Sequence, residues 1–191
     1  MKSNKNQISV KIPKTGRIGR FAKIIEKETN QDVLIKIMQD SDKYESFNYT
    51  EKAAWWRGAI ELLEKEVGKE TAIKIMESCG RKCCGLGHRK TAKKLMGEAK
   101  SIKEFLNKLN KKFRGVRFKL KDKNTVVVRY DKCFCGQVKQ TKQPFPTTTY
   151  CQCGVAWEKQ FFESALERPV EVGLVQTVIT GAESCEFIIY I

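Results

Sequence analysis

The sequence predicts an α+β fold in which N-terminal helices are followed by a small antiparallel sheet, with one helix between two β-hairpins. Two observations carry this prediction. Apolar residues recur at helical spacing through the first part of the chain. At Gly115 the period changes, because Val116, Phe118 and Leu120 alternate with charged residues as in a strand with one buried face. Helices followed by antiparallel hairpins are typical of the α+β class.

The helical part is predicted to span residues 17–114. Apolar positions indicate helical structure from 18 to 38, with a break in the middle, and a further helix with Thr50 as its N-cap. A short helix is expected over 70–79. The segment 79–88 then contains three glycines, which predict a turn rather than a regular helix.

The mixed α/β part is predicted to span residues 115–191 and to share one core with the helical part, so that the chain forms one domain. Its first strand turns back through residues 125–130, which gives the first hairpin. A helix follows and is stopped by Pro169. Alternating apolar residues from 170 to the last residue predict the second hairpin.

The composition predicts a cytoplasmic protein without a membrane segment. No apolar run approaches the roughly 20 residues that a membrane helix needs, and the N-terminus lacks a signal-peptide pattern. Residues 1–16 are polar and are expected to be a flexible basic tail. The formal net charge of +15 attracts nucleic acid or acidic partners, although the lysines are widely spread and also suit a solvated surface.

Two closely spaced cysteine pairs carry the strongest chemical signal. Cys133 and Cys135 flank Phe134, and Cys151 and Cys153 follow further along the chain. Residues i and i+2 of an extended segment point to the same side, so each pair is able to face one ion. Four thiolates are a typical structural zinc site. The pattern predicts zinc, and iron–sulfur ligation is left open. Half-buried reduced thiols are the structural alternative, and a disulfide or redox role is a further one.

A second group of chemically capable side chains lies in the glycine-rich segment, at Cys79, Cys83, Cys84 and His88. His88 is the single histidine of the chain, so any imidazole base would have to be this residue. If the protein is an enzyme, a nucleophilic Cys83 or Cys84 with His88 as its base is the expected arrangement. A solvated histidine at the start of a helix is the alternative.

Other catalytic motifs are missing. The sequence has no dinucleotide-binding fingerprint, no phosphate-binding loop and no serine nucleophile elbow. Glu158 and Glu163, near the second cysteine pair, are capable of acting as a base or a ligand, but exposed helix positions are the more common place for such residues.

Three runs in the C-terminal forty residues, 150–157, 161–172 and 177–187, carry a family resemblance. Together they resemble the end of 4-vinyl-reductase-type domains, which are small-molecule-binding modules found also as the sensor part of aromatic-responsive bacterial activators. The tail is also similar to that of the L-2-amino-thiazoline-4-carboxylic acid hydrolase-like family. The resemblance implies a small organic ligand and, in the zinc-containing sensors, an ion held by cysteines in this region.

The resemblance transfers only part of a ligand set. Cys151 and Cys185 fall where two of the zinc-binding cysteines would be, whereas Thr177 and Leu174 fall at the other two positions and cannot ligate zinc. Replacement ligands would have to come from the remaining paired cysteines. The expected metal set is therefore Cys133, Cys135, Cys151, Cys153 and Cys185.

The leading hypothesis is a cytoplasmic small-molecule-binding protein, similar to a hydrocarbon or aromatic sensor, with a structural metal site. An apolar pocket between helices and sheet would be lined by Trp157, Phe161, Phe162 and Phe187, although aromatics at this spacing are more often core. The resemblance to the hydrolase-like family implies instead a cysteine-dependent hydrolase of a small heterocyclic C–N bond. A zinc-stapled nucleic-acid-binding domain, with 103–117 as its contact face, is a further alternative, and a homodimer is left open.

Overall fold

The computed structural model describes residues 11–191, and it confirms the predicted α+β class. Helices come first, then a hairpin, one further helix and a second hairpin. The bounds are α1 (Gly16–Glu28), α2 (Gln31–Ile37), α3 (Tyr49–Val67), α4 (Lys69–Cys83), α5 (Leu86–Gly97), α6 (Ile102–Lys112), β1 (Val116–Asp122), β2 (Thr125–Tyr130), α7 (Gln152–Leu166), β3 (Glu171–Gln176) and β4 (Cys185–Tyr190). Short 3-10 helices lie at Ser41–Ser46, Thr149–Cys151 and Val178–Thr180.

The four strands form one antiparallel sheet in the order β1-β2-β4-β3. The two hairpins therefore meet where β2 pairs with β4. In that pairing Val128 lies opposite Phe187, and Tyr130 lies opposite Cys185. Because the strands are antiparallel, the end of β2 and the start of β4 lie side by side. The segment that follows β2 consequently starts next to Cys185.

Two apolar clusters make up the core. The first lies among α1 to α4, around the fully buried Phe21 and Trp56, whose ring centroids are 4.8 Å apart. The second lies between the sheet and helices α6 and α7, around Phe105, Phe161 and Phe162. Both clusters draw residues from the helical part and from the mixed part of the chain. Helices α4 and α7 pack against each other and connect the two clusters.

The start of α3 differs from the prediction. The N-cap is Asn48 rather than Thr50, because the Asn48 side chain accepts hydrogen bonds from the backbone N–H groups of Thr50 and Glu51 at 2.9 and 3.0 Å. The Glu51 carboxylate in turn accepts a 2.8 Å bond from the Asn48 N–H, which completes a capping box. The reciprocal pair satisfies more free N–H groups than a threonine two residues later would.

The predicted turn over 79–88 is wrong except at its centre, since α4 continues to Cys83 and α5 already begins at Leu86. Gly80 sits inside this helix against α7. A Cβ atom at that position would lie 2.1 Å from the carbonyl oxygen of Cys153. The glycine that looks like a helix breaker in the sequence therefore permits two helices to approach closely, and their packing outweighs its low helix propensity.

Two further sequence predictions concern the N-terminal tail and the absence of a membrane segment. Of the predicted tail, residues 1–10 lie outside the part that the structure describes, and α1 begins at Gly16. Across residues 11–191, none of the helices combines the length and the apolar character that a membrane crossing requires.

Candidate functional site

All five cysteines of the predicted metal set line one small cavity of about 90 Å³. The loop after β2 carries Cys133 and Cys135. The N-terminus of α7 carries Cys151 and Cys153, and Cys185 begins β4. The sheet register brings the first and last of these segments together, because Tyr130 and Cys185 are paired across β2 and β4. The fold thus gathers thiols from three separated stretches of the chain.

The remaining walls of this thiol-lined cavity are mainly aromatic. Tyr130, Phe134, Tyr150 and Phe187 contribute to it. Phe134 is 48% exposed and lies at the rim, where its ring contacts that of Tyr130 with centroids 5.7 Å apart. Gly154 completes the lining, and a Cβ there would come within 3.0 Å of the Phe187 ring. The walls of the cavity are therefore made mainly of thiols and aromatic rings.

Arg17 at the start of α1 reaches the thiols from the helical side. Its Nη1 donates to the Sγ of Cys135 at 2.9 Å and to the hydroxyl of Tyr150 at 3.2 Å. Its Nη2 donates to the Sγ of Cys83 at 2.8 Å. The Tyr150 hydroxyl and the Cys135 Sγ are themselves 3.1 Å apart. One guanidinium consequently joins a thiol of α4 to a thiol of the loop after β2.

The charge of Arg17 has no carboxylate beside it. Among residues 11–191 none of the ion pairs involves Arg17, and the first ten residues contain no Asp or Glu. Burial opposes the charged form, but Tyr150 and the thiols of Cys135, Cys153 and Cys83 raise the Arg17 pKa overall. A half-buried cation without a carboxylate partner lowers the cost of placing a negative charge beside it.

A second, narrower cavity of about 10 Å³ adjoins this arginine. Its walls include Arg20, Cys79 and Cys83, and it shares Tyr150 and Cys153 with the first cavity. Seven of the eight cysteines therefore surround two adjoining cavities. All eight cysteines lie within the described residues, and each is a free thiol.

Burial keeps most of these thiols protonated. It raises the pKa of Cys133 to about 11 and the pKa values of Cys79 and Cys153 to about 12. The pKa values of Cys151 and Cys185 are also raised by burial. A ligand that takes thiolates here must displace protons, so its binding would strengthen as the pH rises.

The donor atoms suit a soft metal, but their present arrangement is not that of a metal site. Within residues 11–191, no three His, Cys, Asp or Glu side chains are placed so that they could hold a metal ion. The thiols instead line the cavity walls, and Cys135 accepts a hydrogen bond from Arg17. Each cysteine has a single side-chain torsion, so ligation would require several Sγ atoms to turn toward one point.

The three residues of the predicted enzyme site lie in different surroundings. Cys83 contacts Arg17, whereas Cys84 is 2% exposed and belongs to the core cluster beside the sheet. His88 is exposed, and its ring packs against that of Trp157 with centroids 5.3 Å apart. The hydrogen bonds found among residues 11–191 do not join His88 to either cysteine. A cysteine–histidine catalytic pair stays a prediction.

The four aromatic residues predicted to bind a ligand are also divided. Phe187 lines the thiol-lined cavity. Phe161 and Phe162 are fully buried in the second core cluster, and Trp157 stacks on Phe161 at 5.2 Å. Their packing fills the space between α7 and the sheet where the pocket was expected.

Glu158, which contacts the cavity residue Tyr130, has a weak signal in the sequence, and Arg17 has none. Glu158 is completely buried, accepts a hydrogen bond from the Tyr130 hydroxyl, and has its pKa raised by burial to about 7. Its Oε2 has no hydrogen-bond partner in the described part of the chain. Val155 and Phe162 lie three residues before and four after it, which marks the buried face. Glu163 instead forms an ion pair with Arg81. Arg17 has no comparable signal, since only the tertiary fold brings it to the thiols.

A family model described as a family of unknown function, DUF6144, matches residues 17–191. The chain belongs to this family. The match extends from Arg17 to the last residue and so includes every thiol of the site. No curated protein matches this chain. The predicted resemblance to 4-vinyl-reductase-type domains stays a prediction.

Some solved structures are similar at low identity. A trafficking protein particle complex subunit 3 from Naegleria fowleri, covalently bound to palmitic acid, is 14% identical over 72% of this chain and 91% of its own, with a TM-score of 0.47. An H-NOX protein from S. oneidensis in the Fe(II)NO state is 12% identical over 91% of this chain and 96% of its own, with a TM-score of 0.45. Similarity at this level assigns no function to the DUF6144 protein.

Proposed function

We propose that this protein binds a soft metal ion through cysteine thiolates at the thiol-lined cavity, and that the metal has a structural role. The observation that carries the proposal is the convergence of five cysteines, from the loop after β2, the start of α7 and the start of β4, on one cavity. Zinc is the favoured ion, because four thiolates match its preferred structural coordination and leave no open position for water. The ion would fasten the loop after β2 to the helix and the sheet.

The size of the cavity favours an ion over an organic molecule. Sites for small organic ligands usually enclose about 300–1,000 Å³. The thiol-lined cavity encloses about 90 Å³, well below that range. An ion with its sulfur ligands therefore fits this space better than an aromatic molecule does.

The electrostatics also suit a centre made of thiolates. A metal bound by four thiolates is an anionic unit, and burying it requires a nearby positive charge. Arg17 lies against the thiols of Cys135 and Cys83 and lacks a carboxylate partner among the described residues. A guanidinium that donates N–H bonds to sulfur would lower the cost of burying that negative charge.

The proposal is tested by metal analysis of protein purified without added metal. We expect at least one equivalent of bound metal per chain, fewer than eight thiols accessible to a thiol reagent, and loss of metal in Cys153→Ser. Cys84→Ala is the matched control, because Cys84 is a buried cysteine outside the walls of the thiol-lined cavity. Metal near zero together with eight freely titratable thiols in native protein would refute the proposal.

We propose a small organic ligand as a second candidate, favoured by the aromatic walls of the same cavity. Phe134 is half exposed at the rim, so movement of its ring would enlarge the cavity without disturbing the buried Phe187. A panel of small aromatic compounds, added to the metal-free protein, would test this candidate through a rise in melting temperature. A Phe134→Ala variant should bind such compounds more tightly, whereas an unchanged melting temperature across the panel would count against it.

A further inference from the structure

The number of clustered thiols exceeds what one metal ion uses. A structural zinc ion takes four ligands. Five cysteines line the first cavity, and Cys79 and Cys83 from α4 line the second. Seven thiols in one region are therefore more than a single tetrahedral site uses.

The two cavities are parts of one site rather than separate features. Cys153 and Tyr150 belong to the walls of both. Arg17 donates one N–H bond to Cys83 at 2.8 Å and another to Cys135 at 2.9 Å, so a single planar guanidinium spans the boundary between them. Cys153 is therefore the thiol that the two cavities have in common.

We infer that the site is a polynuclear thiolate centre, which takes more than one metal ion per chain, with Cys79 and Cys83 as added ligands and Arg17 as its counter-charge. This inference rests on the proposed function and extends it from one ion to several. The shared chemistry is that of several soft metal ions held by bridging and terminal sulfur. Two zinc ions or an iron–sulfur cluster would both satisfy it.

The positive charge near the site supports the inference. Arg20 joins Arg17 in the wall of the second cavity. Each added cysteine ligand contributes a further negative charge, and the total would exceed the positive charge of the metal ions. Two arginines next to the α4 thiols are the complement that such a centre requires in a partly buried place.

The test is the metal stoichiometry of the full chain, purified without oxygen, measured together with acid-labile sulfide and the visible absorption spectrum. We expect about two or more metal ions per chain in the native protein. Colourless protein with two zinc ions indicates a zinc pair, whereas coloured protein with iron and labile sulfide indicates a cluster. Either result supports the inference.

Variants at adjacent cysteines supply the matched comparison. Cys83→Ser should lower the metal content by about one half, and Cys84→Ala should leave it unchanged, because Cys83 lines the second cavity and contacts Arg17, whereas Cys84 is buried in the core cluster beside the sheet. Circular dichroism verifies that each variant is folded, and Arg17→Lys offers a milder change that should weaken metal retention against a chelator. Exactly one ion per chain, unchanged in Cys83→Ser, would overturn the inference and leave the proposed function standing. Metal-free native protein would overturn the proposed function itself.

Discussion

Arg17 and Cys135 are 118 residues apart in the sequence, yet the Arg17 Nη1 donates a 2.9 Å hydrogen bond to the Cys135 Sγ. The same guanidinium reaches Cys83 on α4 through its other terminal nitrogen. These contacts join the first helix, the fourth helix and the loop after β2 at one point. Hydrogen bonds from a charged group, in addition to apolar contacts, therefore connect the helical part to the loop after β2.

Replacement of Arg17 should destabilise the protein. Arg17→Met removes three hydrogen bonds to Cys135, Cys83 and Tyr150 and leaves the apolar stem in place. Hydrogen bonds to charged groups contribute about 1.5–3 kcal/mol each where they are shielded from water, and Arg17 is only half-buried, so we expect a loss of about 1–3 kcal/mol in total. Urea unfolding followed by circular dichroism measures it.

Arg17→Lys is the control for the planar geometry of the guanidinium. A lysine keeps the charge but cannot span two thiols with one rigid fork. We expect it to recover less than half of the stability that Arg17→Met loses. Full recovery by lysine would show that charge alone, without the two directed bonds, accounts for the effect.

A methyl group at position 80 should separate α4 from α7. The Cβ of Gly80→Ala would lie 2.1 Å from the Cys153 carbonyl oxygen and 2.9 Å from the Ala156 Cβ. Backbone cannot yield as a flexible side chain does, so we expect a loss of about 3 kcal/mol in the free energy of unfolding. Because Cys153 itself would shift, bound metal should also be released more readily to a chelator.

The matched control is Gly58→Ala in the exposed interior of α3. Nothing lies within 4 Å of a Cβ at that position. Alanine there should raise the free energy of unfolding by about 0.5–1 kcal/mol through helix propensity. If Gly80→Ala stabilised the protein like Gly58→Ala, the close approach of the two helices would be refuted.

The buried Glu158 should make stability depend on pH. Burial raises its pKa from 4.5 to about 7. The folded state therefore holds this proton more tightly than the unfolded state, so the free energy of unfolding falls as the pH rises from about 4.5 to 7 and then levels off. The size of the decrease is about 3 kcal/mol. Unfolding in urea at a series of pH values between 5 and 8 measures it.

Glu158→Gln should abolish that dependence and stabilise the protein at pH 8, since the amide oxygen still accepts the bond from Tyr130. Glu163→Gln on the same helix is the control. The pKa of Glu163 is lowered by its ion pair with Arg81, so its titration lies below the range tested. A Glu158→Gln variant with the same pH profile as the native protein would contradict the assignment.

Alkylation rates should differ sharply between the neighbours Cys83 and Cys84. Burial raises the pKa of Cys84 from 9.0 to about 12, which lowers its thiolate fraction by roughly 1,000-fold at a given pH. Cys83 is half-buried beside the Arg17 guanidinium. In metal-free protein, mass spectrometry after brief treatment with iodoacetamide should find Cys83 modified and Cys84 intact.

The same experiment tests the enzyme hypothesis. If Cys83 or Cys84 were a nucleophile activated by His88, His88→Ala would slow the alkylation of that cysteine. The exposed position of His88 against Trp157 leads us to expect no effect of that variant on either cysteine.

The local pattern of the sequence determined much of this protein. Alternation at Val116, Phe118 and Leu120 predicts the strand β1, and the two cysteine pairs mark segments that line one cavity in the structure. Both are properties of neighbours along the chain, so periodicity and spacing reveal them.

The surroundings of several residues depend on tertiary packing and are not predicted by the local sequence pattern. Gly80 lies inside a helix because a side chain at this position would collide with the backbone of α7. Phe161 and Phe162 are fully buried in the core. The position of Arg17 among the thiols depends on contacts across 66 to 133 residues of chain. A guanidinium at the start of a helix has the same sequence signature whether it faces water or sulfur, and only the assembled fold fixes which of the two surrounds it.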